Sequence, residues 1–159
     1  MNNNIFNTEI ETSLRILINL NTINKEISRD ILIISDFLTL YGKSFNITDY
    51  NLHGDSPLSK SEFPTKRELI TNTLKTLVLD GFVKLSVHNG FKYSITEKGK
   101  ELCDKLKTQY ADEYKKTVLE IYKYLENKKI LDVINKITST TIIGGSYVIF
   151  LYQPSKSIK

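Results

Sequence analysis

The sequence predicts a mostly helical α+β chain carrying one β-hairpin. Three observations predict it. Apolar residues recur at helical spacing over most of the length. One short stretch alternates apolar and polar residues about an Asn-Gly pair. Capping and turn residues fall between these segments. At 159 residues the chain has the size of one domain, or of one domain with an extension. Forty per cent hydrophobic and 25% charged residues exclude disorder over the whole length.

The elements follow in order. Ile10, Leu14, Leu17 and Ile18 mark one face of a first helix, opened by a Thr8/Glu11 capping box and ending near Asn21. Ser28 caps a second, Ile31 to Tyr41, apolar almost all round and therefore buried on more than one side. A short buried strand competes there, but length and the Gly42 stop favour a helix. Residues 42–63 are irregular and read as a surface insertion with a short helical turn. Pro64 opens a third helix, with Ile70, Leu74, Leu77 and Val78 inward and Gly81 past its end. Val83, Leu85 and Val87, then Phe91, Tyr93 and Ile95, form a hairpin with an apolar and a polar face about a two-residue Asn89-Gly90 type I′ turn. Thr96 caps a helix with Leu102, Cys103 and Leu106 inward. Tyr114, Val118, Ile121, Tyr122 and Leu125 stripe another, from about Tyr110 to Asn127, and Ile130 to Ile137 continues it. Tyr147 to Tyr152 is strongly β-prone.

Three helices, a hairpin and a helix opening Thr96-Glu97-Lys98-Gly99 are the order of a winged helix-turn-helix. Residues 1–109 are read as that domain, and 110–159 as a helical and strand-like extension for partner docking. The fold serves DNA readers and protein adaptors alike, so it does not choose between them.

A narrower likeness lies in Phe6-Asn7-Thr8-Glu9-Ile10-Glu11 with Leu14-Arg15, in Arg29-Asp30 to Tyr41 around Asp36, and in Leu52-His53, Pro57-Leu58, Lys66-Arg67-Glu68-Leu69 and Gly81-Phe82-Val83. Over residues 5 to 125 the chain resembles the middle component of ABC three-component systems, to which the small subunit of Lamassu-type anti-phage complexes is similar. The resemblance implies a non-enzymatic subunit, beside an SMC- or Rad50-like ATPase and a separate effector, often a nuclease. Such a subunit would bind the ATPase and restrain the effector until foreign DNA is sensed. The resemblance brings no catalytic residues and no cofactor.

The third helix is consistent with protein docking. With Leu74 inward, its outer face holds Thr65, Glu68, Leu69, Asn72, Thr76 and Leu79. A DNA-reading helix presents Arg, Lys, Asn or Gln to bases and phosphates, and only Asn72 suits. Bare leucines beside small polar groups suit a protein surface better. Lys66 and Lys75 at its flanks, with Lys84 and Lys92 on the wing, are the positions that would reach a DNA backbone. In the tail, Tyr147, Ile149 and Leu151 would contact a partner or pair with this chain's own hairpin.

Net charge is +4, from 22 Lys+Arg against 18 Asp+Glu, and permits nucleic-acid contact without arguing for it. No phosphate-binding glycine motif and no catalytic set is present, so no small-molecule substrate is expected. His53 with Asp55 and Asp49 lies in the irregular segment, where two carboxylates and one histidine do not fix a metal geometry. Cys103, the one cysteine, reads as a core residue. Met1-Asn2-Asn3-Asn4 is not a signal-peptide start, and no apolar run approaches the ~20 residues of a membrane span. A cytoplasmic protein is expected. The rival reading is a winged-helix transcriptional regulator, which predicts a homodimer and salt-sensitive DNA affinity.

Overall fold

A computed structural model describes residues 8–139. Six helices and a three-stranded antiparallel sheet make up an α+β fold: α1 Glu9–Ile23, β1 Ile27–Ser28, α2 Arg29–Tyr41, α3 Phe63–Leu79, β2 Val83–Val87, β3 Phe91–Ile95, α4 Glu97–Lys105, α5 Gln109–Leu125 and α6 Ile130–Thr138. The β-prone run 147–152 lies outside the described residues.

The caps read from the sequence are in place. The Thr8 hydroxyl accepts from the Glu11 amide at 3.1 Å, Ser28 from Ile31 at 3.4 Å and Thr96 from Gly99 at 3.2 Å. α1 runs two residues past its expected end and stops at Asn24, whose left-handed backbone closes the last turn. At the end of α3 the Phe82 amide reaches back to the Leu77 carbonyl at 3.0 Å, and Gly81 takes the positive φ of 78° that this closure needs.

α2 is the central rod. Every residue from Leu32 to Tyr41 is buried, including Ser35, Asp36 and Thr39. α1, α3, α5 and α6 pack against it and α4 packs against α1, and Tyr114, Val118 and Ile121 of α5 and Val133 and Ile137 of α6 enter the same core. Residues 42–63 hold short helical turns and lie mostly at the surface, as expected, but the segment is anchored inward. Two short 3-10 turns, Gly42–Phe45 and Ser59–Glu62, carry Phe45 and Ser59 into the interior. The Phe37 ring collects Tyr41, Phe45 and Phe63 at centroid distances of 5.3, 5.8 and 5.1 Å, which ties this segment and the start of α3 to α2.

The hairpin strands lie where alternation put them, but the turn differs. Val87 pairs with Phe91, Leu85 with Tyr93 and Val83 with Ile95, so His88, Asn89 and Gly90 all lie in the connection. A two-residue turn would shift the pairing by one and set Lys92 against Val87, breaking the shared apolar face. The sequence reading also missed β1. Its two residues pair with Tyr93 and Lys92, giving the order β1-β3-β2.

Candidate functional site: the outer face of α3 and the ionic cluster beneath it

α3 is amphipathic because Phe63, Ile70, Leu74 and Leu77 recur on one side and are buried there. The opposite side is open. Thr65, Glu68, Asn72, Thr76 and Leu79 are exposed, and Leu69 is half-buried. Leu79 is 86% exposed. The Thr76 hydroxyl meets the Glu9 carboxylate at 3.5 Å, which brings the first turn of α1 to the end of α3. Ile10 in that turn is 75% exposed. Two bare apolar side chains thus stand on adjacent turns of touching helices. Covering each would contribute about 1.5–3 kcal/mol to association before the costs of docking.

Lys66 departs from the flank position that the helical pattern gives it. It is 3% exposed, with its ammonium 5.9 Å from the Tyr41 ring centroid. Burial, then the neighbouring Arg15, lowers its pKa, against the pull of Asp36, Glu62 and Glu11. A lysine so placed does not reach a DNA backbone. Lys75 and Lys84 are exposed and Lys92 is half-buried. Tyr147, Ile149 and Leu151 lie outside the described residues.

Beneath α3 lies a cluster that sequence reasoning missed. The Arg15 guanidinium donates to both Asp36 carboxylate oxygens, at 2.9 and 3.3 Å, and to Glu11 at 3.0 Å. The Tyr114 hydroxyl donates to Asp36 at 2.6 Å. Burial alone would raise Asp36, but the Arg15 charge and hydrogen bonds outweigh it and hold the carboxyl below its ordinary range. His53 Nε2 lies 3.0 Å from the Tyr110 hydroxyl and 3.5 Å from Glu11. Burial, then the Arg15 and Lys66 charges, push the imidazole down to about 3, so it is neutral at physiological pH. His53 is therefore an inward anchor of its segment. Asp55 instead points to solvent, bound to Lys43 and Asn51. Among the described residues no group of three His, Cys, Asp or Glu is placed to hold a metal ion.

The signal for this cluster was present. Arg15 and Asp36 interrupt otherwise apolar helix faces, and a charge at such a position calls for a buried partner. A second pair, Asn19 with Ser35 at 2.8 Å and Tyr122 on Asn19 at 3.1 Å, continues the polar contacts between α1, α2 and α5. Cys103 is buried, as its inner position implied.

The hairpin also differs from a simply solvated one. Val83 is buried, but Leu85, Val87 and Phe91 are 39%, 66% and 45% exposed, so the apolar face projects beyond the core. On the polar face Ser86 is covered and donates to Glu26 at 2.8 Å. Among the described residues no helix is long and apolar enough to cross a membrane.

No curated protein and no solved structure matches the chain. The family model for the ABC-three component (ABC-3C) system Middle Component 2 matches residues 5–142. The match takes in all six helices and the sheet, including the interrupted faces that carry Arg15 and Asp36. The chain therefore belongs to the Middle Component 2 family of ABC-three component systems, and its partners are components of such a system.

Proposed function

We propose that this middle component is a non-enzymatic structural and regulatory subunit of an anti-phage defence complex of the Lamassu type. In this reading it docks an SMC- or Rad50-like ATPase and an effector nuclease, and restrains the effector. The observation that carries the docking role is the outer face of α3, where Leu79 stands bare beside Thr76, Asn72 and Glu68 with Ile10 on the adjoining turn. This face holds one glutamate and little positive charge, which suits a protein better than a phosphate backbone. Three helices followed by a hairpin, with β1 alongside β3, support the winged-helix reading of the fold.

The test is co-purification of a tagged copy expressed with the genes of its own system. The expected result is a large coiled-coil ATPase and an effector in fixed ratio, lost on Leu69→Asp with Leu79→Asp while the helical circular dichroism is unchanged. A lone homodimer that retains DNA at low salt and releases it at high salt overturns the proposal in favour of a DNA-binding regulator.

A further inference from the structure

A cleft of about 560 Å³ opens where the end of α1, β1, the start of α2 and the last turns of α5 meet, away from the α3 residues named above. Its apolar lining is Ile23, Ile27, Ile31, Leu119 and the ring of Tyr122. Leu119 is 54% exposed although it stands on a helix whose other large apolar residues are mostly buried. The Tyr122 hydroxyl is already bound to Asn19, so its ring is what remains for contact.

The charged lining is unbalanced. Lys25, Lys92 and Lys123 all reach the cleft, and among the described residues none of them is in an ion pair. Two carboxylates, Glu26 and Glu126, share it, Glu26 also accepting from the Ser86 hydroxyl at 2.8 Å, so the lining carries one surplus positive charge. β1, an edge strand of the sheet, contributes both of its residues to the lining.

We propose that this cleft is a docking groove for an extended acidic and apolar peptide segment of a partner subunit. Alternate side chains of such a segment would meet Leu119, Ile23 and Ile31, and its carboxylates would meet Lys25, Lys92 and Lys123. The apolar lining of Ile23, Ile27, Ile31, Leu119 and the Tyr122 ring offers nothing to a phosphate backbone and selects a peptide over DNA, while the surplus lysine favours an acidic one. The inference rests on the reading of the chain as a docking subunit, and adds a second surface through which one small protein holds two partners.

The test uses the whole chain, labelled with ¹⁵N. The probes are a decapeptide alternating leucine or valine with glutamate, its lysine counterpart, and a 12-base-pair DNA duplex. The acidic peptide is expected to give saturable shifts at the amides of Ile27, Leu119 and Lys123. Leu119→Asp and the pair Lys25→Glu with Lys123→Glu are each expected to weaken binding at least about tenfold, while Leu79→Asp leaves it unchanged. Leu119 and the lysines are surface residues, and an otherwise unchanged spectrum shows each variant folded. Absence of shifts, equal shifts with the lysine peptide, the same amides shifting with DNA, or shifts that grow with protein concentration alone each overturn the groove. Failure of co-purification overturns the docking-subunit reading instead, so the two are told apart.

Discussion

The His53 imidazole makes the sharpest energetic prediction. Its side chain is almost wholly buried beside the Tyr110 hydroxyl, with Arg15, Lys66, Asp36 and Glu11 around it. Burial and the two cations lower its pKa to about 3, against an ordinary 6.5. The folded chain therefore keeps the His53 imidazole unprotonated at pH 4.5, where an unfolded chain protonates it. The stabilisation is whole above about pH 6.5 and is lost as pH falls towards 3. At pH 4.5 the loss is two pH units at about 1.36 kcal/mol each, or about 3 kcal/mol. Glu11 works the other way, because burial raises its carboxyl. It is present in both the wild type and His53→Gln, so its own titration largely cancels in the difference between them. Urea unfolding followed by circular dichroism at pH 7.5 and 4.5 measures it. The wild type should lose about 3 kcal/mol more than His53→Gln over that interval. Equal losses in the two proteins would refute the buried neutral histidine.

Other consequences follow from the same contacts. Asp36→Ala leaves the Arg15 guanidinium buried and unpaired by its main partner, and should cost about 3–5 kcal/mol in denaturant unfolding. The triple variant Arg15→Met, Asp36→Leu, Tyr114→Phe removes the charges together and should lie closer to the wild type than Asp36→Ala does. At Gly99 an added Cβ would stand 2.5 Å from the Phe82 carbonyl oxygen and 2.7 Å from Ile95 Cγ1, so Gly99→Ala should lower stability by about 1–3 kcal/mol, read as a fall in thermal midpoint. Burial pushes the Cys103 thiol up to about 11, and a disulfide-exchange reagent should label it only after urea unfolding.

Much of the fold is legible in local chemistry. Thr8, Ser28, Thr96 and Gly81 mark ends of helices because capping is a contact within a few residues. The alternation from Val83 to Ile95 sets the strands for the same reason. What escapes local reading is decided at long range. β1 has two residues and exists only because Tyr93 and Lys92 lie beside it. Residues 42–63 look polar and irregular, yet Phe45 is pulled inward by a ring on α2. A helical wheel places Lys66 at a flank because it sees one helix. The Tyr41 ring and the carboxylates beneath come from elsewhere. The open face of α3 was legible in Thr65, Glu68, Asn72, Thr76 and Leu79, while Leu69 turns out half-buried and Ile10, read on the apolar stripe of α1, turns out exposed. The ionic cluster was legible only as charges interrupting apolar faces, since the partners of Arg15 and Asp36 span α1, α2 and α5.

The central claim is that the outer face of α3 is where this middle component meets its partner. Site-specific photocrosslinking within the assembled complex tests it directly, with benzoylphenylalanine placed at Asn72 or Leu79 and, as a control, at Asp112, an exposed position on α5. The account predicts crosslinks to another subunit from positions 72 and 79 and none from 112. A complex that assembles and gives no crosslink from either α3 position would contradict it.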